Sequence, residues 1–220
     1  MLTATYRRRP ALARMHPSGR ATAAPSVVLR TDTGDTLEMD LTRWHDPATA
    51  EEQELLATVD GPVVDLGCGP GRLVVELAAQ RVPALGVDSS ASAIALARAR
   101  GATVLQQDLF GPFPGEGRWA TALLFDGNVG IGGDPARLLT RCRELLTADG
   151  QVLAEVQPPG TGSRRLTAWF ELDGHRSESF AWAVMGADAI ADVARPAGFV
   201  VAALGATPSG RWFARLRPST

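Results

Sequence analysis

From Val63 onward the chain alternates short apolar runs with stretches whose apolar residues recur at helical spacing. The pattern predicts strands at Val63–Leu66, Ala84–Val87, Val104–Gln107, Thr121–Phe125 and Val152–Val156. It predicts helices at Arg72–Gln80, where Leu73, Val74 and Leu77 share a face, and from a Ser90 cap through Ile94, Leu96 and Ala97 to Arg100, closed by Gly101. A further helix opens at Asp134-Pro135, carries Leu138, Leu139, Leu145 and Leu146, and stops at Asp149-Gly150. Strand and helix in regular alternation predict an α/β fold, a mostly parallel sheet with helices on both faces.

Two regions depart from that rhythm. Residues 158–185 begin with Pro158-Pro159-Gly160 and place an Asp173-Gly174 turn between Leu166–Leu172 and Ser177–Val184, which predicts an inserted β-hairpin. A helix over Ala187–Ala194 and strands over Phe199–Leu204 and Trp212–Leu216 follow. At the other end, residues 1–25 have no periodicity and read as a loose arm. Ser26–Leu41 predicts a hairpin turning at Thr33-Gly34-Asp35, with Gly34 supplying a positive φ, and Asp46-Pro47 before three glutamates predicts a helix start with Asp46 as N-cap. The expected organisation is an N-terminal arm and lid over residues 1–45 and one domain over 46–220.

At 220 residues, 45% apolar and 21% charged, the chain is long enough for one well-buried core. All 22 cationic residues are arginine, which reflects coding bias more than function. A net charge of -2 argues against a phosphate-gripping surface, so nucleic acid is an unlikely partner. Cys68 and Cys142, far apart and without a Cys/His cluster, predict neither disulfide nor metal site and fit a reducing cytoplasm. No apolar run is long enough for a membrane span, and Pro10, Arg14, His16 and Arg20 interrupt any export signal after Arg7–Arg9.

The chemistry concentrates in VVDLGCGPGRL, Val63–Leu73, which sets Gly67, Gly69 and Gly71 in a strand-to-helix turn. Glycines there let backbone approach a ligand and take angles a Cβ forbids. A dinucleotide fingerprint would need its third glycine where Arg72 stands, and a P-loop needs a lysine that the chain lacks. What remains, D-x-G-x-G-x-G, strongly resembles the first motif of the class I S-adenosylmethionine-dependent methyltransferases.

The resemblance implies a Rossmann-like fold of seven strands, mostly parallel with the last antiparallel, and S-adenosyl-L-methionine as cofactor. It implies that Asp65 anchors the amino-acid end, a role suited to the cationic sulfonium and ammonium groups. Asp88, 21 positions after Gly67, would take the ribose hydroxyls and Asp108 the adenine amino group. Gly67, Cys68, Gly69, Gly71, Arg72, Ser89, Gln107, Leu109 and Asp126 complete the cofactor set expected from these motifs. Taken singly, each aspartate could equally be a turn or cap residue.

The segment LFDGNVGIGGDP, Leu124–Pro135, lies where such enzymes face the transferred methyl group, and resembles a poorly characterised bacterial group sharing DGN-x-GIGGDP. It lacks the Asn/Asp-Pro-Pro-aromatic run of base-amine methyltransferases, which favours a small-molecule acceptor. Asp126 and Asn128 are candidates for positioning that acceptor, with loop-shaping Asx turns as the alternative. His45 is a candidate base on the lid, or a surface or capping residue. Trp169, Phe170, Phe180 and Trp182 offer an aromatic wall, or simply pack the hairpin. The expected function is methyl transfer to an oxygen, nitrogen or carbon of a small molecule by a monomer or homodimer. An RNA or protein methyltransferase and a non-catalytic cofactor binder are the alternatives.

Overall fold

The computed structural model describes residues 27–39, 44, 46–172 and 175–219. In chain order these form β1 (Val27–Thr31), β2 (Thr36–Met39), α1 (Ala50–Leu56), β3 (Val63–Leu66), α2 (Arg72–Ala79), β4 (Ala84–Asp88), α3 (Ala91–Ala99) and β5 (Val104–Gln106). There follow β6 (Trp119–Leu124), a 3₁₀ segment (Asn128–Gly133), α4 (Pro135–Leu145), β7 (Leu146–Val156), β8 (Ser163–Leu172), β9 (His175–Arg176) and β10 (Phe180–Met185). The chain closes with α5 (Ile190–Ala194), β11 (Phe199–Ala206) and β12 (Trp212–Pro218).

Seven strands form one sheet in the order β11-β12-β7-β6-β3-β4-β5. The pairs β3–β4, β3–β6, β4–β5 and β6–β7 are parallel, and β12 runs antiparallel to both neighbours. Side chains alternate across this sheet. Val64, Leu66, Ala122 and Leu124 enter a large core with Leu138, Leu139 and Leu145 of α4. Val63, Leu123, Phe125 and Leu153 enter a second with Leu56 of α1 and Leu73 and Leu77 of α2. Asp65 has the parity of Val63, so its carboxylate belongs to the α1/α2 side.

The predicted hairpins at both ends are present, with Gly34 at φ 79°, and they join: β1 pairs with β8, giving a second, antiparallel sheet in the order β10-β8-β1-β2. The Asp173-Gly174 turn lies outside the described residues. Three helix boundaries differ from expectation. Thr49, not Asp46, is the N-cap of α1, because its hydroxyl accepts from Glu52 N while the Glu52 carboxylate accepts from Thr49 N, a reciprocal capping box. The long helix ends at Leu145: Leu146 turns extended (ψ 151°) and pairs with Trp119, so β7 begins before Asp149-Gly150. The last helix starts at Ile190 rather than Ala187, with no side-chain cap to extend it.

Candidate functional site

The glycine loop joins β3 to α2 at the carboxyl edge, and Gly67, Gly69 and Gly71 all take positive φ (77°, 52° and 79°). Their surroundings differ. A Cβ on Gly71 would press on Ala97 and Ala102 at 3.0 Å, so that glycine lets α2 pack against α3. A Cβ on Gly69 would meet nothing within 4 Å, so this part of the loop borders open space. Cys68 turns inward against Gly86 and Val104; burial pushes its thiol well above the usual range and leaves it inert.

Asp88, ending β4, reaches back to the loop. Its Oδ2 accepts from Gly69 N at 2.9 Å and its Oδ1 from Ser90 N at 2.8 Å. A carboxylate has about four acceptor positions, so two hydroxyl groups can still be received. Asp108 accepts from Phe110 N at 3.0 Å, an Asx turn on the exposed rim beyond β5. Gln107 N bonds Asp88 O, which ties that rim to β4. Ser89 is exposed there, whereas Leu109 is buried in the main core and its carbonyl accepts from Arg141.

Asp65 is 2% exposed at the end of β3. Burial pushes its carboxyl up to about 7; Arg72 opposes the rise, and Asp126, Asp88 and Glu52 add to it. A carboxylate so disfavoured gains from a bound cation, so the residues fit a ligand carrying a sulfonium and an ammonium group.

Beside it lies a buried charge network that sequence reasoning missed. The Arg72 guanidinium bonds Glu52 through Nη1 and Asp126 Oδ2 through Nη2, the latter at 2.5 Å. Arg211 grips Glu155 with Nε at 2.8 Å and Nη2 at 2.6 Å, gives Nη1 to Glu52 at 2.7 Å, and places Nη2 3.6 Å from Asp126. Glu155 Oε2 also accepts from Asp126 N at 2.7 Å. Burial pushes the Glu52 carboxyl upward, but Arg72, the Thr49 N–H and Arg211 outweigh it and hold the group at about 2. One signal was readable, the T-x-x-E spacing of Thr49 and Glu52; nothing local marks Glu155 and Arg211 as partners.

Asp126 has φ 56°, a left-handed conformation uncommon outside glycine. The network holds it there from both its amide and its carboxylate. Asn128 Nδ2 donates to Leu66 O and Gly67 O, both at 2.9 Å, and so clamps the loop after β6 onto the glycine loop. Gly130 and Gly133 serve packing: a Cβ on Gly130 would overlap the Ala183 carbonyl, and one on Gly133 would meet Ala181 at 2.9 Å. That contact brings β10 onto the loop and sets Trp182 beside Gly127. Phe170, Phe180 and Trp182 form a continuous aromatic row, with centroids 5.1 and 6.1 Å apart, all partly exposed. His45 lies outside the described residues; His175 is exposed at β9. No cluster of metal-ligating side chains occurs, and no helix is long and apolar enough to cross a membrane, among the described residues.

A mostly parallel sheet with a glycine loop and carboxylates on successive strand ends is the arrangement that α/β folds use for nucleotide-type cofactors. The chain belongs to the methyltransferase-domain family, whose model matches residues 27–204. Among solved structures, it resembles a SAM-dependent methyltransferase from Bacteroides fragilis in complex with S-adenosyl-L-homocysteine (TM-score 0.76, 17% identity, 90% of each chain covered). It also resembles 1,6-didemethyltoxoflavin-N1-methyltransferase from Burkholderia thailandensis (0.59, 19%, 81% of each chain). A third is the amino pentose methyltransferase CalS10 from Micromonospora echinaspora (0.60, 15%, 81% of this chain and 95% of that one). No curated protein matches the sequence significantly.

Proposed function

We propose that the protein transfers the methyl group of S-adenosylmethionine to a small-molecule acceptor by in-line displacement at the carboxyl edge of the sheet. The observation that carries this reading is the pairing of Asp65 and Asp88 on adjacent strand ends around the open backbone at Gly69. Asp65 would meet the cationic amino-acid end, Asp88 the ribose and Asp108 the adenine. Displacement at a sulfonium needs alignment and exclusion of water more than acid catalysis. Asp126 and the aromatic row would face the acceptor, while Asn128 and Arg72 hold the two loops in register. The proposal extends to a cytoplasmic bacterial enzyme acting as monomer or homodimer; most of the expected arm and lid, His45 included, lies outside the described residues, and β1 and β2 within that span pair into the antiparallel sheet with β8.

The test is calorimetric titration with S-adenosylmethionine, S-adenosylhomocysteine and NAD. Both adenosyl ligands should bind and NAD should not, and Asp88→Ala should weaken binding by about 1.5–3 kcal/mol. Binding of NAD instead, or of neither adenosyl ligand to folded protein, sinks the reading.

A further inference from the structure

Asp108, the carboxylate that the proposed function directs at the adenine, stands outside the sheet on an exposed turn. Residues 107–118 lead from β5 to β6 without forming helix or strand, and β5 itself is only Val104–Gln106. The sheet holds the start of this segment at Gln107, whose N–H donates to Asp88 O at 3.0 Å. A carboxylate that selects between ligands needs a fixed position, since one free to move follows a donor wherever the ligand carries it.

What fixes the segment comes from α4. The Arg141 side chain is 10% exposed, and its Nε donates to Leu109 O at 3.0 Å. Its Nη2 donates to Gly111 O at 2.6 Å and to the Glu116 carboxylate, and its Cζ lies 5.3 Å from the centre of the Phe113 ring. Nη1 donates to Glu144 Oε2 at 2.8 Å, which anchors the guanidinium to its own helix. These bonds lead directly to Asp108. Leu109 O and Phe110 N–H are the two ends of one planar peptide group, and that N–H donates to Asp108 Oδ1 at 3.0 Å. Gly111, whose carbonyl Arg141 also holds, donates its N–H to Asp108 O at 3.0 Å. The Phe110 ring is held as well. Arg137, one turn before Arg141 on α4, places its Cζ 4.1 Å from the ring centre, and a Cβ on Gly132 would come within 2.9 Å of the ring edge.

We propose that Arg141 is a positioning residue for base recognition: through the Leu109–Phe110 peptide it sets the Asp108 carboxylate so that the site takes a purine with an exocyclic amino group and refuses one with an oxo group. This rests on the methyltransferase reading and on Asp108 meeting the adenine. The amino group donates to the carboxylate, whereas an oxo group sets two acceptors against each other. In the oxo base the N–H moves to the neighbouring ring nitrogen. A carboxylate free to shift can follow it, and one held by Arg141 cannot. Discrimination at the base therefore comes from a helix 30 residues further along the chain than the loop it serves.

The test is calorimetric titration of the full chain with S-adenosylhomocysteine and S-inosylhomocysteine, which differ only at that edge of the base. The wild-type protein should prefer the adenosyl ligand by about tenfold or more, and Asp108→Ala should abolish the preference. Arg141→Met should reduce it by about fivefold or more. Arg141→Lys keeps the charge beside Glu116 and Glu144 but lacks the planar fork that reaches both carbonyls, and should reduce it by about threefold. In the Asp108→Ala background Arg141→Met should change the preference no further, because both act through one carboxylate. A merely structural Arg141 predicts a lower melting temperature with the preference intact, and that result overturns the inference. If Arg141→Met does not fold, an intact preference in Arg141→Lys overturns it equally. Wild-type protein binding both ligands alike, or a preference that survives Asp108→Ala, overturns this inference and leaves the cofactor reading in place. Failure of S-adenosylhomocysteine to bind folded protein overturns the cofactor reading and this inference with it.

Discussion

The loops at residues 67–71 and 127–133 sit side by side at the carboxyl edge, both rich in glycine; most of these glycines are crowded by the protein itself, and Gly69 is the exception that contrasts with Gly130 and Gly133. At Gly69 the backbone is left-handed, no atom of the described protein crowds it, and its N–H donates to Asp88. At Gly130 and Gly133 β10 lies so close that a methyl group would strike its backbone or Ala181. A glycine-rich motif therefore marks the close approach of the protein's own strand at Gly130 and Gly133 and open backbone at Gly69. The charged residues divide likewise, since Asp65 and Asp88 end adjacent strands beside Gly69 whereas Glu52, Arg72, Arg211 and Glu155 form a buried network that holds Asp126 at the start of the second loop.

That contrast breaks most severely at Arg211. Arg211→Met leaves Glu52 and Glu155 buried without their shared cation, which costs on the order of 3–5 kcal/mol. The thermal midpoint should fall by about 10 °C; an unchanged melt would mean that the network contributes no stability.

The acidic members give the next effect, and their signs oppose. Glu52 ionises at about 2 when folded against an ordinary 4.5, so its contribution, roughly 3 kcal/mol, is complete above 4.5 and is lost as pH falls towards 2. Asp65 titrates at about 7 when folded against an ordinary 3.8, so the folded protein keeps a proton that the unfolded chain releases, and stability declines as pH rises through that window. Urea unfolding from pH 3 to 8 should show both limbs, and Asp65→Asn should remove only the decline. Titration of S-adenosylmethionine near pH 6.5 in buffers of differing ionisation enthalpy should show proton release in wild type and none in Asp65→Asn.

A smaller pair of changes sharpens the comparison of the loops. Gly130→Ala should cost about 2 kcal/mol through overpacking against β10, read as a lower melting temperature. Gly69→Ala should cost about 1 kcal/mol of backbone strain yet weaken S-adenosylhomocysteine binding several-fold. If Gly69→Ala leaves that affinity untouched, the open space beside it does not hold cofactor.

The strands of the main sheet were legible because each is a short apolar run bounded by glycine, proline or a cap, and burial on both faces demands that composition. The glycine loop and the aspartates at residues 65 and 88 were legible for the same reason, each ending such a run. Residues whose partners are remote were not. Glu52 and Arg211 stand 159 positions apart, and no local pattern pairs them. Asn128 was expected either to position the acceptor or to shape its loop, and its bonds to Leu66 O and Gly67 O across to β3 depend on a three-dimensional register that no local pattern carries. Leu109 was expected beside the adenine through its backbone, and its side chain fills the core.

The sheet formed by β1, β2, β8 and β10 also sets an order of events in the life of the chain. β1 finds β2 at once, but its second edge must wait for β8, as the separation of 141 residues between Arg30 and Glu171 shows. During synthesis the early hairpin has one edge without its final partner until most of the main sheet has emerged. Closing it is a long-range step of the kind that slows folding and leaves strand edges open to neighbouring chains. The first strand among the described residues thus completes its pairing only after most of the protein exists, and the nascent chain is most exposed to self-association in that interval.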